Sequence, residues 1–309
     1  MLFRSIEEQG LRLRALVKLG NQPSLFSYRT APGKILNLLP GNTLALVSGQ
    51  SPQDIWQNLE KQSQTNPDMQ VVVEGAKRQV SQLKLDLNQD VLSWMTGEFA
   101  LAALPNPPQK GGIFGSLGVA PVLLLDSSDP DRTNRALDQL DTLIQGKLSV
   151  AKEETAGKPV TYWRLPAGIF NRQTFLGHGW LTSNTLFVAL GDAAIDSLVK
   201  PQGQPLSQTE SFQTVVNTLP KTNGGYFYFK LSDLAQSANL APIGGQFQRL
   251  PVETKAALES LQSVGITTSQ PSENLNQVDV FLKFAPASGT SSPAASPSPS
   301  VPPSPTPTP

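Results

Sequence analysis

Two segments at opposite ends of the chain carry the same alternation. In "GLRLRALVKLG" the apolar residues Leu11, Leu13, Ala15, Val17 and Leu19 alternate with Arg12, Arg14 and Lys18, broken only by Leu16. In "NQVDVFLKFAP", Val278, Val280 and Leu282 alternate against Asp279 and Lys283. A period of two residues puts one kind of side chain on each face of an extended strand, so it specifies a sheet with two unlike sides. A helix opened by Ser5, with Glu8 three residues later, competes for the first segment. The matching endings "LVKL" and "FLKF" favour two strands that close a repeating unit.

A second echo lies between them. "LLPGNTLALVSGQSPQDIW", from Leu38, resembles "TLPKTNGGYFYFKLSDLAQ", from Thr218. Each has Leu-Pro, a small polar turn, an apolar strand and a helix start, at Ser51 or Ser232. Each is followed by a helical stretch, "VVVEGAKRQVSQL" or "VETKAALESLQSV", and then a strand. At about 180 residues, the spacing exceeds that of a solenoid repeat, and a duplicated β-α-α-β half-unit describes it better. The central block differs. It runs from a buried strand, "APVLLLDSSD", to an amphipathic helix, "PDRTNRALDQLDTLIQGKL", and then to strands in "VTYWRLP" and "GHGWLTSNTLFVALG", the latter turning at Ser183-Asn184. Short helices capped by Asp192 and by Ser207, the second with Glu210 in a capping box, complete it. The predicted fold is α+β, with mainly antiparallel sheets flanked by helices around a central βαββα block.

The expected organisation is a closing strand and connector over 1–35 and an α+β domain over 36–285. Within the domain come a half-unit at 36–105, a loop at 106–119, the central block at 120–217 and a second half-unit at 218–285. The tail, 286–309, is Pro, Ser, Thr and Ala without charge; it cannot pack a core and is expected to be extended and disordered. "GGIFGSLG" lacks the spacing and the Lys of a phosphate loop, so residues 105–120 are expected to form an exposed loop.

Composition narrows the chemistry. Lys and Arg balance Asp and Glu at 24 each, which leaves no basic footprint for nucleic acid. No cysteine is present and only one histidine, His178, so a nitrogen-and-sulfur metal site has too few ligands. Asp126, Asp129 and Asp131 offer oxygens, but Asp129 before Pro130 reads as a helix cap. A Ser-His-Asp triad would need His178, and no Gly-x-Ser-x-Gly elbow exists. The Ser-x-x-Lys matches at Ser81 and Ser197 fall in amphipathic helices. No cofactor is implied, and no run of the chain is apolar enough for a transmembrane helix.

"DVLSWMTGEFALAALP", residues 90–105, holds the one arresting carboxylate. "LNQDVLSWMTG" reads as a short helix opened by Asn88 and stopped by Gly97, and "EFALAALP" as a buried strand with Glu98 at its mouth. Glycosidase-type chemistry would need a second carboxylate about 5 to 9.5 Å away. Trp94, Glu98, His178 and Trp180 are the candidate ligand- or partner-contacting residues, and no catalytic residue is assigned.

Taken in order, "LPGNTLALVSG", "LDLNQDVLSWMTGEFALAALP", "VTYWRLP", "LGHGWLTSNTLFVALG", "SFQTVVNTLPKTNGGYFYFKL" and the Pro/Ser tail resemble the cyanobacterial domain-of-unknown-function 3352 family, over about residues 10–285. The resemblance implies an envelope-associated, extracytoplasmic protein of no established activity, held by an N-terminal membrane anchor. The chain looks like an N-terminally truncated member, starting inside the closing strand of an earlier unit. The function expected is non-enzymatic binding of a protein partner or apolar ligand. A hydrolase with a carboxylate pair that includes Glu98, or a structural spacer, are the alternatives.

Overall fold

The computed structural model describes residues 2–7, 10–18, 29–106, 118–166, 173–237, 260–272 and 274–285. The strands are β1 (Leu2–Glu7), β2 (Gly10–Lys18), β3 (Ala45–Gln50), β4 (Glu98–Pro105), β5 (Val119–Asp126), β6 (Ser149–Thr155), β7 (Lys158–Arg164), β8 (Thr174–Trp180), β9 (Thr185–Leu190), β10 (Tyr226–Lys230), β11 (Leu261–Ser272) and β12 (Leu275–Phe284). They form one twelve-stranded sheet in the order β1-β2-β12-β11-β10-β3-β4-β5-β9-β8-β7-β6. Every pairing between neighbours is antiparallel. The helices are α1 (Pro52–Ser63), α2 (Pro67–Gln82), α3 (Pro130–Ile144), α4 (Asp192–Val199), α5 (Glu210–Val216) and α6 (Leu231–Ser237). The α+β class therefore holds.

The two alternating segments are neighbours. β2 and β12 pair along nine residues, with Leu13 opposite Val280 and Arg14 opposite Asp279. β3 and β10 meet in the middle of the sheet, with β4 and β5 beyond one and β12 and β11 beyond the other. The stretch 252–259 of the expected second helix lies outside the described residues, and its end, from Leu261, is strand. The loop at 107–117 and the tail at 286–309 also lie outside them.

Strand alternation gives the sheet two faces. One carries Leu46, Ala100, Ala102, Leu104, Val122, Leu124, Phe187, Tyr228 and Phe281, all buried in the main core. That core is closed by Ile195 and Leu198 of α4, by Phe212 and Val215 of α5, and by Ile35 and Leu36 of the 3-10 turn Lys34–Leu38. Phe212 stands edge-on to Tyr228, with ring centres 5.1 Å apart. Over β5, β9 and β8 the other face is covered by α3 and by Trp94, which pack on Leu125, Leu186 and Trp180.

Several local readings change. The turn after α2 is opened by Asp86, whose carboxylate accepts the Gln89 N–H, rather than by Asn88. It is a π turn, Leu87–Val91, followed by a 3-10 turn, Leu92–Trp94. Gly191, not Asp192, occupies the cap position of α4, and Thr209, not Ser207, caps α5. Asp192 is instead the first residue of α4, and Ser207 lies inside the 3-10 turn Leu206–Gln208, which leaves Thr209 to accept the Phe212 N–H. β6 is a strand beyond those expected; its "SVAKEET" sequence is charged because it lies at the sheet edge, where charge discourages further pairing. β4 is buried on one face only, and Leu101 on its other face is 50% exposed. Asp129 does cap α3, accepting the Arg132 N–H at 2.9 Å, with Pro130 next.

Asp279 of β12 points to the core face, and it is fully buried. Its Oδ1 accepts Arg12 Nη2–H at 2.8 Å and Arg14 Nε–H at 3.0 Å, and its other oxygen accepts from Gln277. Burial pushes this carboxyl's pKa up, but the bonds from Gln277, Arg14 and Arg12 outweigh it and hold the pKa below the ordinary 3.8. A lowered folded pKa stabilises the fold fully above the ordinary value, and that stabilisation is lost as pH falls through the folded value. Asp279→Ala is expected to cost about 3 kcal/mol at neutral pH, because two guanidiniums lose their partner. Asp279→Asn should cost less and flatten the acid limb of the stability curve below pH 3.8, read by urea unfolding across pH.

Candidate ligand-binding site

Glu98 opens β4 on the core face and is 5% exposed. Its Oε1 accepts the Gly33 N–H, and its Oε2 accepts the Ile35 N–H at 3.1 Å. Both amides belong to the start of the Lys34–Leu38 turn, where the first N–H groups have no partner within the turn. Glu98 is therefore a cap supplied from 63 residues away. Both of its oxygens are occupied by backbone donors. Trp94 is likewise enclosed: it is buried, and its indole N–H donates to the Asp90 carbonyl at 2.9 Å.

His178 and Trp180 are brought together. Both lie on β8 and point to the face under α3. The intervening Gly177 and Gly179 point to the other face, where a Cβ would collide with Ile195 or with the Pro159 carbonyl and Phe187. The glycines of "GHGW" let β8 press on α4 while its two large side chains serve the opposite face. Trp180 donates its indole N–H to Asn134 of α3 at 3.0 Å.

The residue that completes the site is Asp141, in the last turn of α3 and 4% exposed. Its Oδ1 accepts the Trp163 indole N–H at 2.7 Å and faces His178 Nε2 at 2.9 Å. A carboxylate only accepts, so Nε2 carries the proton in this bond. Trp163 also stands edge-on to the imidazole, with centres 6.0 Å apart. Asp141 Oδ2 is buried and has no hydrogen-bond partner; Lys152 Nζ lies 4.0 Å away and is bonded to Asp138 at 3.0 Å. The Asp138 carboxylate raises the pKa of Lys152 against a smaller effect of burial. Asp138, Asp141, Lys152 and His178 border a groove of about 250 Å³, walled by Leu137 and Trp180.

Sequence reasoning singled out His178 and Trp180 but not Asp141, which is 37 residues from His178 and reads as one more polar position on an amphipathic helix. Among the described residues, no three acidic or histidine side chains gather as for a metal. Asp126 accepts from the Thr185 hydroxyl at 2.6 Å, and the Ser197 hydroxyl is turned to the Ala193 carbonyl at 2.8 Å.

A second feature lies on the same side of the sheet. Register places Leu11, Leu13, Ala15 and Val17 of β2 beside Val278, Val280 and Leu282 of β12. Val264 and Ile266 of β11, Phe227 and Phe229 of β10, Val47 of β3 and Leu101 of β4 continue the row. Not one of these apolar side chains is buried. Val17 and Leu101 are 50% exposed and Phe227 is 43% exposed.

A family model described as "Protein of unknown function (DUF3352)" matches residues 4–284. The chain belongs to the DUF3352 family. No curated protein and no solved structure matches it. Among the described residues no helix of this DUF3352 chain is long and apolar enough to cross a membrane.

Glu98→Ala should destabilise this DUF3352 domain by about 2–3 kcal/mol, since two buried amides lose a charged acceptor, and Glu98→Gln by less. Urea unfolding measures both. Neither variant should alter the indole resonances of Trp163 and Trp180, because Glu98 serves the opposite face.

Proposed function

We propose that this domain is a non-catalytic binding module whose open sheet face receives an apolar surface of a protein partner. The observation that carries the reading is the row from Val17 to Leu101, apolar across six strands and nowhere buried. A contiguous exposed apolar patch costs solubility and is characteristic of interaction surfaces. An open face suits an extended partner surface, whereas a small apolar ligand would need enclosing walls. Ile55 of α1 and Val71 and Val72 of α2 are exposed too, and α1 packs on the turn carrying Trp94, so the helical pair can extend the surface. The reading takes the half-units 36–105 and 218–285 as copies that jointly build this face. It also takes the setting implied by family resemblance: a cyanobacterial envelope, outside the cytoplasm, with membrane association.

The hydrolase alternative loses its support, because Glu98 faces amides rather than a carboxylate. A pure spacer would have no use for an apolar face left open.

The test is native mass spectrometry of the protein purified from its host. A protein of defined mass should accompany the wild-type chain and be lost from a Leu101→Lys/Phe227→Lys variant, with thermal stability changed by less than about 1 kcal/mol, as expected for exposed positions. A clean apo monomer from the host, or a partner retained by the variant, contradicts the proposal.

A further inference from the structure

The groove under α3 is separate from the open sheet face, and its chemistry is more specific. We propose that it is a binding site for a neutral polyhydroxyl ligand, a monosaccharide or the terminal unit of a glycan, with one hydroxyl donating to Asp141 Oδ2.

The argument begins with an unmet need. Oδ2 is buried and has no hydrogen-bond donor, although Oδ1 of the same carboxylate has two. A buried acceptor without a donor is costly, so a molecule that supplies one gains free energy in this position. Oδ2 belongs to a residue that borders a groove large enough for a small ring.

The charges around the groove select the kind of donor. Lys152 Nζ stands 4.0 Å from Oδ2 and 3.0 Å from Asp138, so the cation position between the two carboxylates is already filled. A second ammonium would be repelled by Lys152, and an anion by Asp138 and Asp141. A hydroxyl donates without either conflict. The walls then set the body of the ligand: Leu137 and the half-buried Trp180 indole offer an apolar surface to the C–H side of a sugar ring. Asn134 and Asp138 at the rim supply further planar polar groups for the remaining hydroxyls. His178 and Trp163 act as positioning residues. They hold the Asp141 carboxylate through Oδ1 and so fix where Oδ2 points.

Two natural probes report on the site, the indole N–H groups of Trp163 and Trp180. The experiment titrates the full chain, labelled with nitrogen-15, with glucose, galactose or N-acetylglucosamine, and separately with ethylammonium chloride and inorganic phosphate. At least one sugar should shift both indole resonances saturably, and neither ion should. Asp141→Asn keeps an acceptor oxygen for Trp163 and His178 but places an NH2 donor where Oδ2 was. It should retain the Trp163 resonance and weaken sugar binding by about tenfold or more. Should Asp141→Asn fail to fold, Trp180→Ala removes the wall without disturbing the carboxylate and should lose binding equally. The proposal is overturned by no saturable shift with any of the sugars, as for a groove that holds water only. Saturation by ethylammonium or phosphate instead, or sugar affinity unchanged in the variants, overturns it too. None of these outcomes depends on whether a protein docks on the open face.

Discussion

The whole sheet hangs on one short junction, the pairing of β3 with β10. Only three residue pairs span it: Phe227 with Val47, Tyr228 with Leu46, and Phe229 with Ala45. Without it the twelve strands would separate into a group of five and a group of seven, each with a raw edge. The junction is reinforced where it is shortest. The Lys230 N–H donates to the Leu44 carbonyl at 2.8 Å and the Tyr226 N–H to the Ser48 hydroxyl at 3.0 Å. Gly225 has a φ of 115° and lies so close to the Ser48 carbonyl that no side chain could fit there. On the core face, Tyr228 and Leu46 lie in one hydrophobic cluster with Phe212 against the tyrosine ring.

This junction explains why the two faces differ in fate. A flat seam between two half-sheets can be filled from one side by α4, α5 and the Lys34–Leu38 turn, which arrive on the segments preceding β10 and β3. Filling that side buries Leu46, Ala100, Tyr228 and Phe281 together. The other side is filled at the β5-β9-β8 end, where α3 returns across it. Its remaining strands keep apolar side chains with partial exposure. A hydrophobic row kept in register across six strands is what a partner surface can use.

Much of this was legible in the sequence, wherever a single local signal sufficed. The period-two rhythm at Leu11–Val17 and Val278–Leu282 gave two strands that do pair, and Asp129-Pro130 gave a cap that does form. The echo between residues 38–56 and 218–236 marked the two strands that meet at the centre of the sheet. What escaped were features set by distant residues. Glu98 looks like a lone carboxylate until the fold brings the Gly33 and Ile35 amides to it. Asp141 looks like helix surface until β7 and β8 place Trp163 and His178 beneath it. β6 escaped because an edge strand is guarded by the same charges that mark a loop, and "EFALAALP" looked buried on both sides because alanine does not report which way it faces.

The central claim is that the apolar face is open on the isolated domain and closes on binding. The chain has no cysteine, so single introduced thiols report on it without background. Thiol modification rates would be measured for Val17→Cys, Leu101→Cys and Phe227→Cys, with Leu46→Cys on the filled face as reference. The account predicts rapid labelling at the first three positions on the purified domain, protection of all three in host extract, and slow labelling at position 46 throughout. Slow labelling at positions 101 and 227 on the purified domain would mean that the face is already covered, and would contradict the account.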